Sequence, residues 1–225
     1  HEYLVRGGFP QTALVESITQ AQRLLREDII EKVLKRDMTA LFGVRRILEL
    51  EQMFIFLCMH DGGLQDIQTI SKDLGIAKQT VQNFIDLFES TYLIYRLPPF
   101  GYGKEVLRGK AKLYLGDPAI APAVLMKGKT ILEDAHALSQ CVETAVIGHL
   151  FSHCAYNEAR FSYWRNQKEK EVDLIVEMGN LIIPFEVKYQ SQMVQARDVS
   201  GLIDLCNQKA AIQQGYIITK SPQDI

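Results

Sequence analysis

Apolar residues recur at helical spacing in the first half of the chain and alternate with polar residues in short stretches of the second half. Between Ser17 and Leu41, Leu, Ile and Val lie at helical spacing among charged side chains, which predicts one or two amphipathic helices. A strongly apolar stretch from Ile47 to Met59 predicts another helix, which ends at the glycines that follow Asp61. We therefore expect a helical N-terminal region.

The segment 67–85 has the pattern of a helix-turn-helix. Gly75 provides the turn, and Val81 and Phe84 are spaced as buried positions of the second helix. When such a motif binds DNA, its second helix enters the major groove. The candidates for reading base edges or contacting phosphates are Lys78, Gln79, Gln82 and Asn83.

Two strand-like stretches, 92–97 and 112–115, flank a Gly-rich turn and predict the wing of a winged helix. A winged helix can also serve as a protein-interaction module. That alternative stays open because Asp86 and Glu89 make the second helix of the motif only lightly basic.

Two runs rich in Val and Ile, separated by Gly179 and Asn180, predict a β-hairpin with a two-residue loop. The apolar face of this hairpin pairs Met178 with Leu181, Val176 with Ile183, Leu174 with Phe185, and Val172 with Val187. A slip of one residue would mix charged and apolar side chains on one face, so the pattern fixes the register.

The opposite face of the hairpin carries its charged residues. In the same register Asp173 lies opposite Glu186, with Cβ atoms about 5 Å apart, and Glu171 lies opposite Lys188. Two close carboxylates repel each other unless a cation lies between them. The alternative is a solvent-facing hairpin with an ordinary ion pair and hydrated carboxylates.

Hard divalent ions such as Mg²⁺ bind one or two carboxylates together with water and phosphate oxygens. A metal at Asp173 and Glu186 could activate water, and Lys188 could orient the nucleophile or stabilise the developing negative charge. The chemistry that the hairpin indicates is phosphodiester hydrolysis.

The last third of the chain also predicts an order of elements. A helix over 132–153, a strand over 160–165, the hairpin, a helix over 196–209 and a strand over 215–219 follow one another. A meander with a crossover to its last strand predicts a layered α/β domain. We expect an α/β, overall α+β, fold divided into a helical segment (1–45), a winged helix (46–118) and an α/β/α domain (119–225).

Composition adds few constraints to this picture. The chain has 225 residues, 47% of them hydrophobic, and its formal net charge of -2 argues against a general polyanion-coating protein. Its 4 cysteines lack metal-site spacing, no apolar run reaches the length of a membrane span, and no signal peptide is evident. We expect a cytoplasmic protein without a membrane partner, and the start at His1 suggests a fragment.

Asp173 followed by Glu186-Val-Lys188 resembles the metal-binding motif of the PD-(D/E)xK nuclease superfamily, with Val172 in place of the usual Pro. The predicted order of helix, three strands, helix and strand is similar to that superfamily's core. The resemblance implies Mg²⁺ or Mn²⁺ at Asp173 and Glu186 and a catalytic Lys188. It also implies that Glu143, on the preceding helix, completes or supports the metal shell.

Short motifs along nearly the whole chain extend this resemblance. They are Arg6-Gly-Gly-Phe-Pro10, the winged helix, Leu113-Tyr-Leu-Gly-Asp117, Tyr163-Trp-Arg165 and the nuclease-like motif. Together they resemble the C-terminal portion of a family of bacterial and archaeal AAA-type ATPases. The resemblance implies an ATP-binding half upstream. These residues do not contain it, since Gly128-Lys-Thr130 is only the tail of a phosphate-binding loop.

Three hypotheses follow. The first is a metal-dependent DNA nuclease that receives its substrate from the winged helix. The second is a catalytically inactive nuclease-like module that binds nucleic acid or protein and regulates the upstream ATPase. The third is a protein-interaction scaffold, in which the winged helix mediates self-association or binds an unidentified protein.

Overall fold

The computed structural model describes residues 2–103, 106, 109–154, 158–190 and 192–220. It combines helices with two small sheets, so the expected α+β class is confirmed. The chain divides into two compact units. The first joins the residues up to Tyr95 with Leu113–Ala145, and the second joins Arg96–Lys112 with the residues from Val146 onward. Among the described helices, none is long and apolar enough to span a membrane.

The first unit is mainly helical. Its helices are α1 (Glu2–Arg6), α2 (Pro10–Leu14), α3 (Ile18–Arg26), a π-helical segment (Glu27–Asp37), α4 (Met38–Phe42), α5 (Ile47–Met59), α6 (Ile67–Leu74), α7 (Lys78–Ser90), α8 (Ile120–Val124), a 3-10 turn (Gly128–Leu132) and the first part of α9 (Ala135–Cys154). A sheet of order β1-β3-β2 is formed by β1 (Leu64–Gln65), β2 (Ile94–Leu97) and β3 (Ala111–Leu115).

The predicted helix-turn-helix is present as α6 and α7. Gly75 ends α6 in the left-handed conformation, with a φ of 67°, which glycine adopts without steric cost. Val81 and Phe84 are buried as expected. The ring of Phe88 on α7 packs edge-on against Phe54 of α5, with centroids 5.2 Å apart. The predicted wing strands are confirmed as β2 and β3.

Two of the short sequence motifs meet at the carboxylate of Asp117. The backbone N–H groups of Gly8 and Ala119 each donate to one of its oxygens, both at 2.8 Å. Gly7 has a φ of 79°, and a Cβ there would lie 2.6 Å from Asp117 Oδ1. The paired glycines therefore allow the N-terminal turn to approach this buried side chain closely.

A second buried carboxylate, Asp61, joins the end of α5 to β3 and α9. It accepts hydrogen bonds from Leu115 N at 2.8 Å and from Thr144 Oγ1 at 2.7 Å. Burial raises the pKa of Asp61 to about 6, although these hydrogen bonds act in the opposite direction.

The second unit contains a four-stranded sheet of order β4-β5-β6-β7. Its strands are β4 (Arg160–Arg165), β5 (Glu171–Met178), β6 (Leu181–Lys188) and β7 (Tyr216–Thr219), with α10 (Ser200–Gln208) between the last two. The first three strands are antiparallel and β7 is parallel to β6. The predicted meander with a crossover to a last strand is therefore confirmed, although α10 begins later than expected.

Helix α10 covers one face of this sheet. The buried cluster there consists of Val172, Ile175, Val194, Val199, Leu202, Leu205 and Ile212. Gly201 makes the close packing possible, because a Cβ at this position would overlap the carbonyl oxygen of Glu171. The start of α10 thus lies directly against the start of β5.

The loop that follows β2 lies along strand β4. Tyr163 N donates to Pro98 O at 3.0 Å, and Phe100 N donates to Tyr163 O at 2.6 Å. The hydroxyl of Tyr102 donates to Glu177 at 2.9 Å, and the guanidinium of Arg160 lies 4.2 Å from the Tyr102 ring centroid. This part of the predicted wing is therefore fixed within the second unit by backbone and side-chain contacts.

Candidate metal and phosphodiester site

The hairpin that carries the candidate site has the register expected from its sequence. Met178 pairs with Leu181, Val176 with Ile183 and Leu174 with Phe185. Gly179 in the turn has a φ of 57°, as a two-residue loop of this kind requires. The confirmed pairs bring the end of β6 beside the start of β5.

The expectation that side chains alternate strictly between the two faces of the hairpin is wrong at the start of β5. Opposite strand β4, Ile175 pairs with Ser162 but Val172 pairs with Trp164, so β5 holds one extra residue in this interval. This β-bulge contains Asp173, and it places Val172 in the same buried cluster as Ile175. The predicted apolar face, in which Val172 joins Leu174, is therefore interrupted.

The bulge lets the side chain of Asp173 take part in the hairpin. Its Oδ2 accepts a hydrogen bond from the backbone N–H of Val187 at 2.9 Å. Its Oδ1 lies 3.5 Å from the ammonium of Lys112, which is on β3. The Asp173 carboxylate is thus held by one backbone donor and one cation.

Glu186 is the most deeply buried acid of the site, with 4% of its surface exposed. Its Oε1 accepts from Lys188 Nζ at 2.5 Å, whereas Oε2 has no hydrogen-bond partner among the described residues. Burial, and next the nearby charge of Asp173, raise the pKa of Glu186 to about 7, while Lys188 acts in the opposite direction. The predicted trio of Asp173, Glu186 and Lys188 is therefore brought together.

Glu171 has a different partner from the one expected. Its carboxylate forms an ion pair with Lys112 and lies 3.6 Å from Arg165 Nη1. The bulge at Asp173 shifts Glu171 out of the simple alternation on which the predicted pairing with Lys188 depended. Lys112 and Arg165 are thus site residues that the sequence reasoning missed. The available signal was a lysine inside the otherwise apolar strand Ala111–Leu115.

Glu143 belongs to the first unit, on helix α9. The hydroxyl of Tyr114 donates a hydrogen bond to its carboxylate. Its expected contribution to a metal shell stays a prediction.

The four candidate DNA-contacting residues lie near the start of α7 and in its middle. The side chains of Lys78, Gln79 and Asn83 are exposed, and that of Gln82 is half-buried. Two amides are engaged along the helix surface. Gln79 Nε2 donates to Asn83 Oδ1 at 3.0 Å, and Gln82 Nε2 donates to Asp86 Oδ1 at 2.7 Å.

Asp173 and Glu186 provide carboxylate oxygens, the ligand type that hard divalent ions prefer. Within the described ranges, no group of three or more His, Cys, Asp or Glu residues has the arrangement of a metal site. Mg²⁺ and Mn²⁺ nevertheless bind through one or two carboxylates when water and phosphate oxygens supply the remaining ligands. Asp173 and Glu186, with one buried and unpartnered oxygen, fit an ion of this kind.

Two family models match the chain. The domain of unknown function DUF8612 matches residues 1–131, and the domain of unknown function DUF4143 matches residues 138–225. Uncharacterized proteins of Mycobacterium bovis and Mycobacterium tuberculosis are each 27% identical over 213 residues, which is 92% of this chain and 47% of the relative. An uncharacterized protein of Methanocaldococcus jannaschii is 25% identical over 122 residues, which is 52% of this chain and 27% of the relative.

The chain spans about half the length of the two mycobacterial relatives. No solved structure matches it. Its C-terminal part is similar to DUF4143 domains. Because the other match covers more than half of the 225 residues, the chain belongs to the DUF8612 family.

Proposed function

We propose that the second unit is a metal-dependent phosphodiesterase acting on DNA, with Asp173 and Glu186 as ligands of Mg²⁺ or Mn²⁺. The observation that supports this most strongly is the buried Oε2 of Glu186, which has no described partner and lies near a second carboxylate. A buried carboxylate oxygen is costly when no donor or cation contacts it. A divalent ion would satisfy both acids at once.

The residues of the site have separate roles in this proposal. The Val187 N–H holds Asp173 in one orientation, and burial keeps Glu186 from turning into water. Lys188, which is partly exposed, orients the attacking water and stabilises negative charge on the phosphate. The bound metal would supply Lewis-acid activation of water and charge neutralisation.

The winged helix would present the DNA, and Lys78, Gln79, Gln82 and Asn83 would contact it. The relatives are about twice as long as this chain, which agrees with an upstream AAA-type ATPase half that binds ATP. In that arrangement the chain is the C-terminal region of a cytoplasmic motor protein.

The charges of the site favour a second candidate, an inactive nuclease-like module that regulates the ATPase through nucleic-acid or protein binding. Three carboxylates face three cations within the described part of the site: Glu171, Asp173 and Glu186 against Lys112, Arg165 and Lys188. The negative and positive charges of such a site balance each other before any metal binds. A purely regulatory fold would therefore be stable without an ion.

Calorimetric titration with Mn²⁺ separates the two candidates. The nuclease proposal expects saturable binding by the wild type and loss of binding in Asp173→Asn and Glu186→Gln. Glu169→Gln is the matched control, since this exposed carboxylate pairs with Arg165 outside the proposed ligand set. No binding by the folded wild type would overturn the nuclease proposal and favour the regulatory module.

A further inference from the structure

Lys112 is a buried lysine whose ammonium lies among the acids of the site. Only 5% of its side chain is exposed. It forms an ion pair with Glu171 and donates to Asp173 Oδ1 at 3.5 Å. Lysines are almost never fully buried unless their charge is paired, so these carboxylates account for its place in the fold.

The position of Lys112 affects how a metal ion can bind the carboxylate of Asp173. The Oδ2 atom of Asp173 is already engaged by the Val187 N–H, and Oδ1 is the atom that faces Lys112. A metal that coordinated Asp173 through Oδ1 would share this atom with the ammonium or displace it. Two cations on one carboxylate repel strongly at low dielectric, so sharing is disfavoured.

After such a displacement the ammonium of Lys112 can keep its ion pair with Glu171. Glu171 already forms the closer of the two ion pairs with Lys112. Its other oxygen faces Arg165 at 3.6 Å, so Glu171 lies between two cations. Lys112 can therefore release Asp173 without becoming a buried and unpaired charge.

We infer that Lys112 is an internal counter-ion that occupies the cation position on Asp173 when no divalent ion is bound and gives it up when one binds. The inference rests on the proposed function only for the identity of the ion. Lys112 then has two opposite effects. The lysine stabilises the metal-free fold, and it weakens metal binding. The site would then bind metal tightly only when a phosphate group adds further ligands.

The test compares Mn²⁺ binding in the wild type, Lys112→Met and Lys112→Gln by calorimetry and by the metal-induced rise in Tm. Met keeps the aliphatic stem and provides a folded variant if Gln disrupts packing. Lys110→Met is the matched control, an exposed lysine two residues earlier. In the Lys112 variants we expect a lower Tm without metal than in the wild type, and a Mn²⁺ affinity raised about tenfold or more. The metal-induced rise in Tm should also be larger in these variants. The control should match the wild type.

The possible outcomes distinguish failure of the counter-ion from failure of the nuclease proposal. Equal or weaker Mn²⁺ binding in the Lys112 variants, with normal binding by the wild type, would overturn the counter-ion and leave the nuclease proposal standing. Tighter binding by the variants without DNA cleavage by the wild type would support the counter-ion and overturn the nuclease. Absence of binding in all proteins would overturn both.

Discussion

At the scale of single residues, the candidate site depends on where a few carboxylates are placed. Asp173 and Glu186 lie on neighbouring strands, as their spacing around the hairpin predicts, but their surroundings differ. Asp173 is held by a backbone N–H and a lysine, whereas Glu186 keeps one buried oxygen without a described partner. Because of these surroundings we expect Glu186 to contribute to the pH dependence of the site.

The pKa of Glu186 is raised from 4.5 to about 7, so the folded state holds this proton more tightly than the unfolded state does. The resulting stabilisation is complete below about pH 4.5 and is lost as the pH rises through 7. We expect this group to account for about 2–3 kcal/mol of lost unfolding free energy between these limits. Urea unfolding of the wild type and Glu186→Gln at pH 5 and pH 8 measures the difference.

Glu186→Gln should show a smaller fall in stability between pH 5 and pH 8 than the wild type. Asp61, whose pKa is raised to about 6, is present in both proteins and contributes equally to each. An identical fall in the two proteins would show that Glu186 does not titrate in this range.

Gly7 is a second residue whose role follows from its surroundings. Replacement by Ala would combine an unfavourable positive φ with overlap against Asp117 Oδ1. We expect Gly7→Ala to lower the free energy of unfolding by about 2–4 kcal/mol. Gly43→Ala, where φ is 65° but no atom lies within 4 Å of the added Cβ, should cost only about 1 kcal/mol. Equal losses in denaturant unfolding would contradict the predicted overlap.

At the scale of elements, most helices and strands follow from periodicity, but the bulge in β5 does not. The hairpin register was predictable because a tight turn joins strands with matching apolar faces. The extra residue at Asp173 depends on pairing with β4, a longer-range contact with no local sequence signal. For the same reason the sequence did not predict that Lys112, about sixty positions away in the chain, contacts Glu171 and Asp173.

The close packing of α10 on β5 predicts that a larger residue at position 201 destabilises the protein. In Gly201→Ala the added methyl group would overlap Glu171 O, so the helix must shift away from the strand. Overpacking of this kind costs about 1–3 kcal/mol in unfolding free energy. Ser200→Ala, which adds no volume in the same turn, should remain close to the wild type in thermal unfolding. A Gly201→Ala protein as stable as this control would contradict the close approach.

The candidate DNA-contacting residues on α7 can be tested by the salt dependence of binding. If Lys78 contacts a phosphate, Lys78→Ala should weaken binding to all duplexes and reduce the slope of log affinity against log salt by about 1. Lys127→Ala, an exposed lysine outside the helix-turn-helix, should leave the slope unchanged. Fluorescence anisotropy at several salt concentrations measures both. Binding that does not respond to salt would favour the protein-interaction scaffold instead.

At the scale of the whole molecule, two compact units share one chain that enters the second unit, returns to the first and enters the second again. The loop after β2 and the residue Lys112 both belong to the second unit, although the predicted winged helix (46–118) contains them. Sequence patterns predict which elements exist and often their order. They do not predict this exchange of segments, since it depends on contacts between distant parts of the chain.

The proposed phosphodiesterase site consists of Asp173, Glu186 and Lys188. The measurement that tests it most directly is cleavage of single-stranded, duplex and branched DNA in Mg²⁺ or Mn²⁺ by the wild type, Glu186→Gln and Lys188→Ala, with Glu169→Gln as control. We expect metal-dependent cleavage by the wild type and the control, and its loss in the other two variants. Absence of cleavage by folded wild-type protein, or equal cleavage by Glu186→Gln, would contradict the proposed site.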